Sequence, residues 1–328
     1  MSGSLSRSIR MSPHATDSFS KCQLCGEKAA VFLTGAPTLL RCPACGLLSL
    51  AKFPAAEATE ALYQDEYYSD GSAERFLKPL EWAVRFFRRL RVRAIERRTE
   101  GAGAILDVGC GRGTLLEICQ ERGWTVLGTQ LSQTAIRAAR ARGVDVRYGE
   151  LPALALPPGS FNVVTFFHVL EHLEAPEAYL REACRLLKPN GGLVVEVPDF
   201  GGLGFRLLGL RHFCVDYPHH LVFFTERSLR ALLERSGFEV TGRSRVSLEY
   251  SPFTTLQNML NVVPGKPNRL YRSFMRNAEG KRLRQEPLTW LHAVLAAGLV
   301  LPALLVTFLA APVVGGNTIR LYAQKRDG

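Results

Sequence analysis

The chain has 328 residues, of which 47% are hydrophobic and 22% are charged. This composition excludes a mainly disordered protein and leaves room for one large core with smaller appendages. The formal net charge is +11, but it is concentrated: residues 75–98 carry nine Lys or Arg against two Glu, and residues 269–284 carry six against one. Two local basic patches exclude a generally cationic surface, and they suit phosphates, nucleic acid or anionic lipid headgroups.

Residues 21–50 contain two cysteine pairs with the spacing of a zinc ribbon. The first pair is Cys22 and Cys25, the second is Cys42 and Cys45, and sixteen residues separate them. Four thiolates supply the tetrahedral geometry of a structural zinc ion with no open position, so we expect zinc to serve folding and not catalysis. Residues 1–20 are polar and Ser-rich, and we expect a disordered leader and no secretory signal.

Residues 51–100 are predicted to form a connector followed by a basic amphipathic helix. Apolar residues recur at helical spacing from Phe76 to Ala94, and Pro79 suits a first helical turn. We expect the arginines from Arg85 to Arg98 to contact a membrane surface or to be solvated.

Strand and helix patterns alternate through residues 101–252. Strands are predicted at 104–108, 125–129, 144–148, 161–167, 192–197 and 239–247, and helices at 115–122, 134–142, 176–187 and 228–235. Strands that alternate with helical crossovers form a parallel sheet with helices on both faces, so the fold class is doubly wound α/β.

Residues 253–316 form a basic and then hydrophobic insertion before a last predicted strand within 317–328. From 287 to 319 there is no Asp, Glu, Lys or Arg, a length sufficient by count to cross a bilayer. Because the last strand should rejoin the sheet, and Pro302 and Pro312 interrupt the run, we expect a helix–break–helix that dips into one leaflet. The alternative is a buried helical pair that caps the substrate pocket.

A glycine-rich turn follows the first strand of this α/β region. Asp107, Gly109, Gly111 and Gly113 alternate with other residues, which lets the backbone turn sharply and approach a ligand. A dinucleotide fingerprint would need glycine at position 114, where this chain has Thr. The turn resembles motif I of class I S-adenosylmethionine-dependent methyltransferases. The resemblance continues, in order and spacing, through 128–132, 149–150, 168–172, 186–192, 223–226 and 236–238.

That resemblance implies a seven-stranded Rossmann-like methyltransferase sheet and a bound S-adenosyl-L-methionine. The acidic residue and the three glycines of the turn would line the methionyl and ribose side, and Glu150 would lie by the adenine amine. The family usually ends its second strand with Asp or Glu, which accepts from both ribose hydroxyls, whereas this chain has Gln130. An amide loses the charge-assisted strength of that contact, so somewhat weaker cofactor affinity is expected.

His168, Glu171 and His172 follow the fourth predicted strand, at the edge where ligands bind in open α/β sheets. The same residues match an inverted zinc-protease signature, but that signature needs a helix, and the run before it is strand-like. One interpretation makes His172 with Glu171 a general base for the acceptor.

A second interpretation makes the cluster a divalent metal site. It resembles the Glu-x-x-Glu-His site of ubiquinone O-methyltransferases and of small-RNA O-methyltransferases, with His168 in place of the first Glu. The small-RNA enzymes have a further His five residues before a Thr, and His220 with Thr225 reproduces that spacing. Such ligands would hold a vicinal diol or catechol. A third interpretation is purely structural.

The predicted zinc ribbon, the resemblance to class I methyltransferases and the hydrophobic insertion together predict a methyltransferase. We expect it to methylate an oxygen of a lipid-linked, glycolipid or quinone-like acceptor at a membrane surface. The alternatives are a soluble nucleotide-sugar C- or O-methyltransferase, with the insertion as a lid, and an RNA methyltransferase that uses the ribbon and the arginine helix. Eight cysteines without a secretory signal indicate a reducing compartment, so we expect a cytoplasmic protein at the inner face of the cell membrane.

Overall fold

A computed structural model describes most of the chain: residues 20–35, 37–54, 78–99, 101–263, 265–275 and 277–326. The predicted leader up to residue 19, and residues 55–77 of the predicted connector, lie outside these ranges.

Twelve strands and eleven α-helices run through the described residues, each type numbered in chain order. The strands are β1 (Ser20–Lys21), β2 (Lys28–Leu33), β3 (Leu39–Arg41), β4 (Leu48–Leu50), β5 (Ala104–Val108), β6 (Thr125–Gln130), β7 (Val146–Tyr148), β8 (Phe161–Phe167), β9 (Leu187–Pro198), β10 (Val222–Phe223), β11 (Phe238–Ser244) and β12 (Thr318–Lys325). The helices are α1 (Lys78–Glu96), α2 (Thr114–Glu121), α3 (Gln133–Arg140), α4 (Pro176–Leu186), α5 (Leu203–Leu208), α6 (Glu226–Arg235), α7 (Ser251–Leu260), α8 (Arg269–Ser273), α9 (Ala278–Leu283), α10 (Pro287–Leu305) and α11 (Ala311–Val314).

Seven strands form the main sheet, in the order β11-β12-β9-β8-β5-β6-β7. Neighbours from β9 to β7 are parallel, whereas β12 is antiparallel to both β9 and β11. The last strand pairs along β9 from Thr318 opposite Pro198 to Gln324 opposite Gly192. The predicted doubly wound fold is therefore confirmed, and the last strand rejoins the sheet where we expected it.

Helices cover both faces of this sheet because its strands are apolar on both sides. In β5, Ile105 packs into one cluster with Val92 of α1 and Leu116 of α2. Its neighbour Leu106 points to the opposite face and packs into the cluster that contains Leu180 of α4. Successive residues of a strand face opposite sides, so one five-residue strand contributes to two cores.

The ribbon forms a second sheet in the order β1-β2-β3-β4-β10. Its last strand, β10, comes from the chain after residue 220, so the ribbon is joined to the α/β region by strand pairing. Gly26 and Gly46 both have φ of +77°, and each N–H returns to the carbonyl of the first cysteine of its pair. Both cysteine turns therefore have the same backbone conformation.

Helix α1 does not present a single basic face. Arg85 donates to Glu117 and Glu121 of α2, and Arg91 is buried among acidic side chains. Arg89 and Arg93, on another face of the helix, are exposed. The expectation that all these arginines are solvated or on a membrane is wrong for the inward ones, because nearby carboxylates neutralise them.

The hydrophobic insertion is one continuous helical run, and the predicted break at Pro302 is wrong. Helix α10 passes through that proline and continues as a π-helical turn, Val306–Ala310, into α11. A proline in a helix costs about 3 kcal/mol through the lost hydrogen bond and a steric clash. Packing offsets this cost, because Ala296 lies against Leu260 of α7 and Thr307 donates to Thr255 of α7.

Candidate active site

The glycine turn lies at the carboxyl edge of β5 and leads into α2. Gly109, Gly111 and Gly113 have φ of +67°, +56° and +75°, values that favour glycine. A Cβ on Gly109 would lie 2.6 Å from Val169 Cγ2, and one on Gly113 would lie 2.8 Å from Ala139 Cβ. Backbone conformation therefore favours glycine at all three positions, and close packing also requires it at Gly109 and Gly113.

Asp107 lies inside the sheet, two residues before the first of these glycines. Its carboxylate is 4% exposed and accepts a 2.6 Å hydrogen bond from Thr165 of β8. Burial raises the pKa of Asp107 to about 6, although the Thr165 hydrogen bond opposes the shift. This contact ties β5 to β8 directly beneath the turn.

Gln130 ends β6, and its side-chain oxygen is already engaged. That oxygen accepts from the backbone N–H groups of Leu131 at 2.7 Å and Ser132 at 3.2 Å. The amide nitrogen of Gln130 is then the group that remains for a ligand, and it can only donate. Glu150, after β7, is exposed at the same carboxyl edge of the sheet.

His168 follows β8 with a φ of +56°, which is uncommon for a residue other than glycine. Its ring lies between two fully buried carboxylates, 3.1 Å from Glu171 and 3.3 Å from Glu196. Burial alone would lower the pKa of His168, but these two carboxylates outweigh it and raise the pKa to about 9. His168 is thus cationic at neutral pH and orients Glu171, and it is not a base there.

Glu171, His172 and His220 converge, with one donor atom from each within 4.8 Å of the others. His172 Nδ1 lies 2.9 Å from the carbonyl of His219, and His220 Nδ1 lies 2.8 Å from the carbonyl of Cys214. A backbone carbonyl at Nδ1 takes the N–H of a neutral ring and leaves Nε2 as the acceptor or ligand atom. The structure brings together three of the four predicted residues, and His168 supports the group from outside it.

Burial and neighbouring groups set the charge states of Glu171 and His172, two members of this acceptor cluster (Glu171, His172 and His220). Burial lowers the pKa of His172 to about 4. Burial opposes ionisation of Glu171, yet the hydrogen bond and charge of His168 lower its pKa. A neutral imidazole beside a carboxylate is an arrangement that accepts protons or binds cations.

Comparison with known proteins supplies the family. A methyltransferase-domain family matches residues 80–242. The ubiquinone biosynthesis O-methyltransferase of Pseudomonas entomophila is 32% identical over 188 residues, which cover 53% of this chain and 80% of that protein. The chain belongs to the S-adenosylmethionine-dependent methyltransferases.

Further similarities fall within the same family. The enzyme of the same name from Pseudomonas fluorescens strain SBW25 is 39% identical over 179 residues, which cover 50% of this methyltransferase and 76% of that protein. A solved S-adenosylmethionine-dependent methyltransferase from Archaeoglobus fulgidus is 19% identical, with a TM-score of 0.46 over 74% of this chain and 94% of the other.

A buried ionic network behind His168 was not predicted from the sequence of the methyltransferase. Glu196, near the carboxyl end of β9 and fully buried, accepts from Arg91 at 3.1 Å and from Arg320 at 2.6 Å. Burial would raise the pKa of Glu196, but the two arginines hold it well below its usual range. The one signal was a glutamate inside an otherwise apolar strand, a position where a charge needs buried partners.

The ribbon cysteines of the methyltransferase converge as predicted from their spacing. All four sulfur atoms lie within 4.8 Å of one another, with Cys22 to Cys45 at 3.6 Å and Cys25 to Cys42 at 3.4 Å. Tetrahedral bonds of about 2.3 Å from sulfur to zinc put the sulfur atoms about 3.8 Å apart. The thiol set therefore fits a zinc ion.

Proposed function

We propose that this methyltransferase transfers the methyl group of S-adenosyl-L-methionine to an oxygen of a lipid-linked, glycolipid or quinone-like acceptor at a membrane surface. The observation that carries the proposal is the acceptor cluster, whose Glu171 and His172 follow β8, the strand that neighbours β5 and its glycine turn. One carboxylate and two imidazoles are groups that deprotonate or bind a hydroxyl. The names of the two Pseudomonas relatives support an oxygen acceptor.

On the cofactor side, the glycine turn would carry the methionyl part, and Glu150 would receive the adenine amine. Gln130 would donate its amide N–H to a ribose oxygen, since its own oxygen caps the Leu131–Ser132 backbone. When bound, the cofactor supplies an electrophilic sulfonium methyl group. Asp107 would act by fixing the turn through Thr165.

On the acceptor side, His172 and Glu171 would hold the hydroxyl in line and take its proton. Glu171 Oε2 is buried and makes no hydrogen bond within the described residues, so it can accept that proton or a hydrogen bond from the acceptor. Correct alignment supplies most of the rate, and the base adds a smaller factor of about 10²–10⁴.

The same three side chains fit a divalent cation, which is the second way the cluster would serve. Each histidine has its Nδ1 fixed by a backbone carbonyl, as ligating histidines usually do, and Glu171 adds a carboxylate oxygen. A cation there would lower the pKa of a bound hydroxyl. Calorimetry with Mn²⁺ on the zinc-loaded protein separates the two roles: a metal site binds the ion and loses that binding in His220→Ala, whereas a base does not bind it. Chelator treatment does not separate them, because it would also remove the ribbon zinc.

At the ribbon, Cys22, Cys25, Cys42 and Cys45 would hold zinc with four protein ligands and no open position. Zinc there would stabilise the fold and would not contact the acceptor.

The membrane part of the proposal rests on which side chains are exposed along α10 and its continuation. Large apolar side chains face outward and small or polar ones face inward, the reverse of the arrangement expected for a helix in water. The outward stripe consists of large apolar side chains that are each 66–76% exposed: Trp290, Val294, Leu301, Leu309 and Val313. The inward stripe is small or polar and buried: Thr289, His292, Ala296, Ala303 and Thr307. A helix in water buries its apolar side, so this one suits an apolar medium outside.

Two further features bear on how the run meets a bilayer. Pro287–Val314 is long and apolar enough to cross a membrane by length and composition alone. However, β12 follows at once and lies inside the main sheet, so we propose that the helix lies along one leaflet. In the nearby basic patch, Arg269 pairs with Glu286 and Arg272 with Glu279, so these two charges are partly neutralised.

An apolar groove lies beside this outward stripe. It has a volume of about 210 Å³ and lies between α7 and α10, lined by Pro252, Phe253 and Leu256 on one side and Val300, Ala303 and Leu304 on the other. Helix α7 begins directly after Tyr250, whose ring lies 4.4 Å from that of His168. We propose that the hydrocarbon part of the acceptor follows this groove, in a cytoplasmic enzyme held at the inner face of the membrane.

The deciding experiment supplies methyl-labelled cofactor with three acceptor pools: extracted membrane lipids, nucleotide sugars and RNA. We expect label in the lipid fraction, lost in Glu171→Gln with cofactor binding retained, and lost together with cofactor binding in Gly111→Val. Label confined to sugars or RNA would overturn the lipid proposal and favour the corresponding soluble enzyme.

A further inference from the structure

The backbone of a single residue, Leu221, connects the ribbon to the acceptor cluster. Its N–H donates to the carbonyl of Glu171 at 2.8 Å, and its carbonyl accepts from the N–H of Leu50 at 3.0 Å. Leu50 belongs to β4 of the ribbon, and Glu171 belongs to the acceptor cluster. The residue before Leu221 is His220, another member of that cluster.

Strand β10, which continues from Leu221, depends on the ribbon for its position. In the ribbon sheet β10 is an edge strand paired with β4 alone, with Val222 opposite Ser49 and Phe223 opposite Leu48. A strand of two residues has little stability of its own, so its place is set by the strand beside it.

The second cysteine turn is also fastened to the α/β region. Arg227, in the first turn of α6, donates to the carbonyl of Ala44 at 2.6 Å, and Ala44 lies between Cys42 and Cys45. Side chains of both parts share one core, in which Leu24 and Leu48 of the ribbon and Phe223 and Leu229 of the α/β region are nearly inaccessible. A change at the cysteines therefore has a short route to β10.

We propose that the ribbon is a positioning element for methyl transfer, and that Leu221 is the residue through which it fixes Glu171 and His220. The proposal rests on the proposed function of the acceptor cluster. Among the described residues, no backbone hydrogen bond joins the glycine turn that follows β5 to the ribbon. Loss of ribbon order should therefore impair the acceptor side and spare cofactor binding.

The first test removes a zinc ligand. In Cys42→Ser, we expect amide hydrogen exchange to accelerate in peptides that cover 168–173 and 215–224, while peptides over 104–113 and the cofactor dissociation constant stay unchanged. Cys184→Ser, which alters a cysteine outside the ribbon, is the matched control and should behave as wild type. Unchanged exchange in 215–224 after proven zinc loss would overturn the proposal, whether or not an acceptor has been found.

Because a lost zinc ligand can unfold more than the ribbon, a second test keeps all four cysteines. Arg227→Ala truncates an exposed side chain and removes the hydrogen bond to the carbonyl of Ala44. The control is Arg230→Ala, which removes a weaker contact with Glu226 on the same helix. We expect Arg227→Ala to retain zinc and the KM for cofactor, but to lower kcat/KM for the acceptor by about tenfold or more, since small misplacements are costly.

An equal fall in Arg227→Ala and Arg230→Ala, or a matching rise in the KM for cofactor, would overturn the positioning role. A wild-type protein that methylates none of the acceptors would instead contradict the proposed function. The hydrogen-exchange experiment would still test the link between the ribbon and the acceptor cluster, because it needs no acceptor.

Discussion

Gly113 and His212 show how single residues set local structure, the first because it has no side chain and the second through both nitrogens of its ring. Gly113 is the last glycine of the glycine turn, where it has a left-handed conformation and packs against Ala139 of α3. His212, buried at 1% exposure, accepts from the N–H of Cys214 at Nδ1 and lies 3.2 Å from Asn317 Oδ1 at Nε2. Both ring nitrogens are thus assigned, and the ring must be neutral.

Gly113→Ala should weaken cofactor binding, and Gly143→Ala should not. Both positions have φ near +76°, so both variants pay about 1–2 kcal/mol in backbone strain. Only at Gly113 does the new Cβ meet a neighbour, 2.8 Å away, because nothing lies within 4 Å of the Cβ position at Gly143. Titration calorimetry and thermal unfolding of the pair test this; equal cofactor affinities would contradict it.

His212 should make the protein acid-labile. Burial lowers its pKa from 6.5 to about 4, so protonation favours the unfolded chain. The contribution is complete above pH 6.5 and is lost as the pH falls from 6.5 towards 4, by about 3 kcal/mol in total. Urea unfolding between pH 7 and pH 4 should show a shallower acid slope in His212→Gln, with a remaining slope from His172. An unchanged slope would disagree with this assignment.

At the scale of elements, the sequence predicts what is local. The strand predicted at 161–167 is observed at Phe161–Phe167, since an apolar β-branched and aromatic run bounded by turns specifies a buried strand by itself. The predicted helix break at Pro302 was wrong, because a proline alone predicts the end of a helix, whereas contacts of α10 and its continuation with α7 keep the helix intact through this proline. Tertiary packing overrode the local signal.

Charging the outward stripe of α10 should abolish vesicle binding. We expect the double variant Trp290→Asp, Leu301→Asp to lose flotation with anionic vesicles while it stays folded, because both side chains are 66% exposed. Leu207→Asp, at a 71% exposed leucine outside this helix, is the matched control and should float as wild type. Flotation that survives the double variant would contradict the membrane proposal.

Across the whole molecule, buried charges join elements that are distant in sequence. Arg91 of α1, Glu196 of β9 and Arg320 of β12 meet beside His168, and Arg91 also binds Glu249 at 2.7 Å. Each charge is tolerable only because the others are present. The network therefore links the first helix and the last strand to His168 and the candidate active site.

Arg91→Met should destabilise the protein by about 3–5 kcal/mol, because Glu196 and Glu249 would lose a buried partner. Arg85→Met removes ion pairs that are partly exposed and should cost less than about 1 kcal/mol. Urea denaturation at neutral pH measures both. Similar losses would show that the buried network adds no more stability than the surface pairs.

The sequence by itself determined the α/β order, the glycine turn, the cysteine quartet and the identity of Glu171, His172 and His220 as site candidates. Most of these depend on short runs of residues, whose order and spacing already specify a strand, a turn or a ligand set, and His220 depends on the resemblance to a known family. The tertiary structure alone decided that His168 is held as a cation by Glu196, that α10 runs unbroken with its apolar side outward, and that β10 joins the ribbon to the active site. These features arise from contacts between residues that are far apart in the chain, where burial and neighbouring charge, and not local pattern, set the outcome.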